Sequence, residues 1–73
     1  MDMYDRAEIV EDRTAKKIRV FLFTGINITI EPARDLAKNL DDSEVGKLRD
    51  EITLKYGIPR SQIIKRIKGG FSP

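Results

Sequence analysis

The run KIRVFLFTGINITIE, residues 17–31, constrains the fold more than any other part of the chain. Ile18, Val20 and Leu22 alternate with Arg19, Phe21 and Phe23, and Ile28 and Ile30 alternate with Asn27 and Thr29. Successive side chains of a strand point to opposite faces, so a period of two marks extended backbone. Thr24-Gly25 lies between the two runs, and glycine takes the positive φ of a tight turn, which predicts a β-hairpin. One face of its first strand is aliphatic and the other carries two phenylalanines. Such a strand is covered on both sides or lends one side to a contact between chains. An isolated hairpin is not stable, so other elements must cover it.

The chain has 73 residues, enough for one domain that buries about 60% of its unfolded surface. Hydrophobic content of 40% with 36% charged residues fits a compact soluble fold rather than wholesale disorder. There is no cysteine and no histidine. That excludes a disulfide framework and a thiolate zinc site, and it removes the usual general base and the commonest metal ligand. The longest apolar run, Val20–Phe23, is too short to span a bilayer. The expectation is an intracellular protein, cytoplasmic or nuclear, that is not an enzyme and carries no cofactor or metal.

The net charge of +2 conceals strong segregation. Residues 1–12 hold five acids (Asp2, Asp5, Glu8, Glu11, Asp12) against Arg6, whereas residues 13–20 hold Arg13, Lys16, Lys17 and Arg19 with no acid. Residues 31–51 are net acidic, and from Lys55 onward come Lys55, Arg60, Lys65, Arg66 and Lys68 with no acid. This pattern points to a polyanion for the basic end and a basic partner for the acidic one. Residues 1–14 read as a mobile acidic arm, with one short strand around Ala7–Glu11, and residues 15–73 as a single small domain.

Pro32 suits a first helical turn, and Leu36, Ala37 and Leu40 give PARDLAKNL an apolar stripe. Asp41, Asp42 or Ser43 can cap the next helix, about Glu44–Tyr56, whose apolar face is Val45, Leu48, Ile52 and Tyr56. Asp41, Asp42 and Glu44 read as caps, since no further ligands recur at calcium-loop spacing. Gly57 stands at the left-handed position that ends a helix. Beyond it, KYGIPRSQIIKRIKGG admits a turn and another helix, with Ile63 and Ile67 inward and Gln62, Lys65 and Arg66 outward, closed by Gly69-Gly70.

Residues 49–70 resemble the helix-turn-helix of the Pipsqueak and related homeodomain-like families. Tyr56, Gly57, Ile58, Pro59, Arg60, Ser61, Lys68 and Gly69 match the motif, with Ile52, Ile63 and Ile67 in its apolar slots. Thr53 departs from the usual alanine, and those families do not require the preceding hairpin. Joined to the hairpin read from residues 17–31, the resemblance implies an α+β fold: a β-hairpin followed by about three short helices, the last two as a helix-turn-helix. It also implies transcription regulation by binding duplex DNA, with Gln62 and Arg66 reading bases and Arg60, Ser61, Lys65 and Lys68 on phosphates. A homodimer reading two half-sites through the Phe21 and Phe23 face fits that picture.

Residues 17–69 also resemble the ubiquitin-like β-grasp fold, more broadly and more loosely. Ile18, Val20, Ile28 and Ile30 match its core hairpin, Leu48 and Ile52 its helix, and Gly57-Ile58-Pro59 its turn. Here residues 60–68 would be a strand. Lys65 then falls where a buried leucine belongs, and the chain stops where the last strands should begin. This resemblance implies a protein-interaction module. The same class includes a regulator that grips a larger machine such as RNA polymerase through Asp2, Asp5, Glu8, Glu11 and Asp12, with Phe21 and Phe23 as further candidate contacts.

Overall fold

The computed structural model describes residues 3–70. Strand β1 spans Arg6–Asp12, β2 Lys17–Thr24, β3 Asn27–Ile30 and β4 Arg34–Asp35. Helix α1 spans Asp42–Tyr56, a 3-10 turn covers Arg60–Gln62, and strand β5 runs Ile63–Lys68. The strands form one mixed sheet in the order β3-β2-β1-β5, with β4 pairing β2 as well. β1 is antiparallel to β2 and parallel to β5. A parallel pair needs a long crossover, and the segment containing α1 supplies it. The arrangement is ubiquitin-like.

The expected helix-turn-helix is not what forms. Among the described residues there is one α-helix, not about three, and residues 60–68 are a 3-10 turn followed by a strand. The reason lies in how little the key spacing discriminates. Residues i and i+4 share a face in a helix and also in a strand, so Ile63 and Ile67 fit both. Only nine residues separate Pro59 from Gly69, too few for a self-supporting helix, and β-branched isoleucine favours the sheet. Pro59 itself is extended, with φ −59° and ψ 142°. Pairing along β1 then satisfies the backbone groups of alternate residues of this segment, Ile64, Arg66 and Lys68.

The helix expected from Pro32 is replaced by sheet as well. Pro32 lacks the N–H a ladder needs, so β3 stops at Ile30 and pairing with β2 resumes at Arg34. Glu31 donates its N–H to the Val20 carbonyl at 3.0 Å, and Leu36 to the Lys16 carbonyl at 3.0 Å. The apolar stripe survives without the helix. Leu36 is buried, and Leu40 packs against the core.

Residues 6–12 lie inside the sheet. Ala7 and Ile9, both fully buried, pair with Leu22 and Val20 across the hairpin, and with Ile63 and Lys65 on the other side. With Ile18, Leu36, Leu48, Ile52 and Ile58 these residues make the core between sheet and helix. The α1 caps follow the sequence. Asp41 accepts from the Glu44 N–H at 2.8 Å and Glu44 reaches back to the Asp41 N–H, forming a capping box. Gly57 closes the helix at φ 73° and donates to the Thr53 carbonyl.

The glycine pair at 69 and 70 does not cap a helix. Both residues have positive φ and follow β5, where a Cβ on either would overlap Thr14 or Arg13 in the β1–β2 turn. They let the end of β5 lie flat on that turn.

Candidate binding surface

The sheet has two faces, and the pairing registers assign every strand residue to one of them. Ala7, Ile9, Glu11, Ile18, Val20, Leu22, Ile63, Lys65 and Ile67 share the helix side. The helix-free side carries Arg6, Glu8, Val10, Asp12, Arg19, Phe21, Phe23, Ile64, Arg66 and Lys68. Ile28 and Ile30 join it, because the β2–β3 register sets Phe23 opposite Ile28 and Phe21 opposite Ile30. These two isoleucines, expected in the hairpin core, are instead 56% and 59% exposed. The parity of a two-residue turn beginning at Thr24 or Gly25 already pairs odd positions with even ones. The signal was therefore in the sequence.

The residues expected to read DNA do not form one ridge. Arg60, Ser61 and Gln62 sit in the 3-10 turn, with Arg60 in an ion pair with Asp50. Lys65 points to the helix side, while Arg66 and Lys68 are on the opposite side of the same strand. The Arg66 Nε donates to the Glu8 carboxylate at 2.8 Å, and Lys65 Nζ lies 3.2 Å from the Glu11 carboxylate.

Of the acidic residues, Asp2 lies outside the described residues. Asp5 accepts from the Gly25 N–H at 2.9 Å and so braces the β2–β3 turn. Glu8 is held by Arg66 and by Arg6 at 3.4 Å. Glu11 is fully buried, with Arg13 at 2.6 Å opposite Lys65. Its burial alone raises the carboxyl pKa, but the hydrogen bond from Arg13 and the charges of Arg13 and Lys65 outweigh that and hold it below the usual range. Lys65 therefore occupies the slot where leucine was expected because Glu11 neutralises it there. Asp12 is also lowered, first by the Ala15 N–H at 2.9 Å and then, against burial, by Lys68 and Arg19.

A second polar cluster ties the β3–β4 link to α1. Buried Glu31 accepts from the Tyr56 hydroxyl and contacts Lys55 at 3.3 Å and Arg34 at 3.4 Å. Arg34 also pairs with Glu51. Burial, then the hydrogen bond to Glu31 and its charge, pushes the Tyr56 hydroxyl pKa up. Among the described residues no group of three or more acids is placed to hold a metal ion. None of their helices is long and apolar enough to cross a membrane.

The strongest surface feature is therefore the β2–β3 half of the helix-free face. Two cross-strand pairs of an aromatic and an isoleucine stand side by side there, with the Arg6 guanidinium 3.9 Å over the Phe23 ring. Comparison with protein-family models, curated proteins and solved structures finds no match.

Proposed function

We propose that the protein is an interaction module that docks a partner protein on the helix-free face of its sheet, through Phe21, Phe23, Ile28 and Ile30. The observation that carries this reading is the exposure of Ile28 and Ile30 beside the two phenylalanines on one contiguous face. Burying such a cluster removes apolar surface from water and supplies the aromatic anchors on which protein interfaces depend. A nucleic-acid platform would use the same rings with free cations around them. Here Arg6 and Arg66 both contact Glu8, which favours a protein partner.

A photo-crosslinking residue at position 28 should capture the partner, whose affinity is then measured by titration. Ile28→Lys with Ile30→Lys should weaken binding at least about tenfold, because central contacts dominate an interface. Ile26→Lys, at a turn residue already 97% exposed, should leave it unchanged. A folded double variant that binds normally overturns the reading. Salt-dependent binding of single-stranded oligonucleotides, lost in the same variant, reassigns the face to nucleic acid. Dimerisation lost in the same variant assigns it to a second copy.

A further inference from the structure

The opposite margin of the sheet carries a separate signal. β5 pairs with β1 along one side, and among the described residues no strand pairs with its other side. The hydrogen-bonding phase is set by the Arg13 N–H, which donates to the Lys68 carbonyl at 2.9 Å. In a parallel ladder alternate residues address the neighbour, so Ile64, Arg66 and Lys68 turn their backbone groups to β1. Ile63, Lys65 and Ile67 turn theirs outward. The Ile63 carbonyl accepts from the Arg49 Nε at 3.0 Å. That leaves the N–H and C=O groups of Lys65 and Ile67 as a short open template, flanked by Ile64 and Ile67, both about half exposed. Sheet margins of this kind take an added strand.

The charge around this edge selects what can be added. Glu8, Glu11 and Asp12 are each approached by bases from two sides. Arg6 and Arg66 contact the first, Arg13 and Lys65 the second, and Arg19 with Lys68 surround the third. Six bases therefore face three acids on this half of the sheet. A second copy of β5 would set Lys65, Arg66 and Lys68 against their own kind, which is unfavourable. The other margin is poorer, because β3 has only four residues before Pro32 interrupts the pairing.

We infer that the outer edge of β5 binds an extended acidic segment of a partner protein by strand addition, pairing with the backbone of Lys65 and Ile67. Apolar side chains of the added strand lie beside Ile67 on the helix side, and its carboxylates, on the other side, face Arg66 and Lys68. This surface is independent of Phe21, Phe23, Ile28 and Ile30.

The probe is a capped seven-residue peptide of alternating Glu and Val, with alternating Lys and Val as its control, added to the full chain. Amide hydrogen exchange is read residue by residue. Saturating acidic peptide should slow exchange at Lys65 and Ile67 at least about tenfold, as expected for amides newly held in a ladder. Ile64 and Arg66, already bonded to β1, should change little, and the Lys-containing peptide should do nothing. Ile67→Pro removes one outward N–H without touching the β1 ladder and should weaken peptide binding at least about tenfold. Should that variant unfold, Lys68→Glu provides the second test, with weaker peptide binding expected. Ile28→Lys with Ile30→Lys should bind the peptide normally, which separates this inference from the docking face. Unchanged exchange at Lys65 and Ile67 with millimolar acidic peptide overturns it. Protection of the same amides by self-association or by an oligonucleotide does so equally.

Discussion

Lys65 and Glu11 illustrate how a single charge is accommodated in a small core. Lys65 stands on the helix side opposite Ile9, and only the fully buried Glu11 makes that placement tolerable. Glu11→Leu alone should cost about 3–5 kcal/mol, because it strands Lys65 and Arg13 beside apolar neighbours. Glu11→Leu with Lys65→Leu should recover most of that loss, since apolar replacement of a buried pair is often neutral or stabilising. Urea denaturation of the three proteins measures both effects. Lys16 presents the opposite case, a non-glycine residue at φ 56° in the β1–β2 turn. Lys16→Gly relieves the crowding of its Cβ and should raise stability by up to about 1 kcal/mol, read as a higher melting temperature.

At the scale of elements, α1 was readable because its signals are local. Asp41, Glu44 and Gly57 act on backbone groups within one turn of themselves, so their roles do not depend on the rest of the fold. Asp41→Ala should cost about 1 kcal/mol, measurable by thermal denaturation. β5 was not readable in the same way. Its isoleucine spacing satisfies a helix and a strand equally, and the deciding residue, Lys65, looks like a surface charge until Glu11 is brought beside it. β3 and β4 were half legible: the alternation from Asn27 to Ile30 was plain, but the resumed pairing at Arg34 was hidden behind Pro32. The candidate docking face was partly legible too. Phe21 and Phe23 stand out in the sequence, whereas the β-grasp resemblance puts Ile28 and Ile30 in the core.

For the whole molecule, ion pairs link elements that local packing alone would leave loosely joined. Glu11 links β1 to Lys65 of β5 and Asp12 links it to Arg19 of β2, Asp35 pairs with Lys17 at 2.6 Å, and Glu51 pairs with Arg34. All four carboxyls titrate below their usual range. A depressed folded pKa contributes stability above the unfolded value, and that contribution is lost as pH falls through the folded one. Stability should therefore hold from neutrality down to about pH 4 and drop below it. Urea midpoints between pH 7 and pH 3 test this, and Glu11→Leu with Lys65→Leu should flatten the fall. The amino-acid order by itself determined a hairpin at Thr24-Gly25, a helix capped within Asp41–Ser43 and ended at Gly57, and a segregated charge pattern, because each depends on neighbours a few residues away. The short strand expected around Ala7–Glu11 is present, but only the tertiary structure decided that it lies between β2 and β5 and that residues 63–68 extend beside it. Those two segments are more than fifty positions apart, and β5 takes its ladder hydrogen bonds, and Lys65 its counter-charge, from β1.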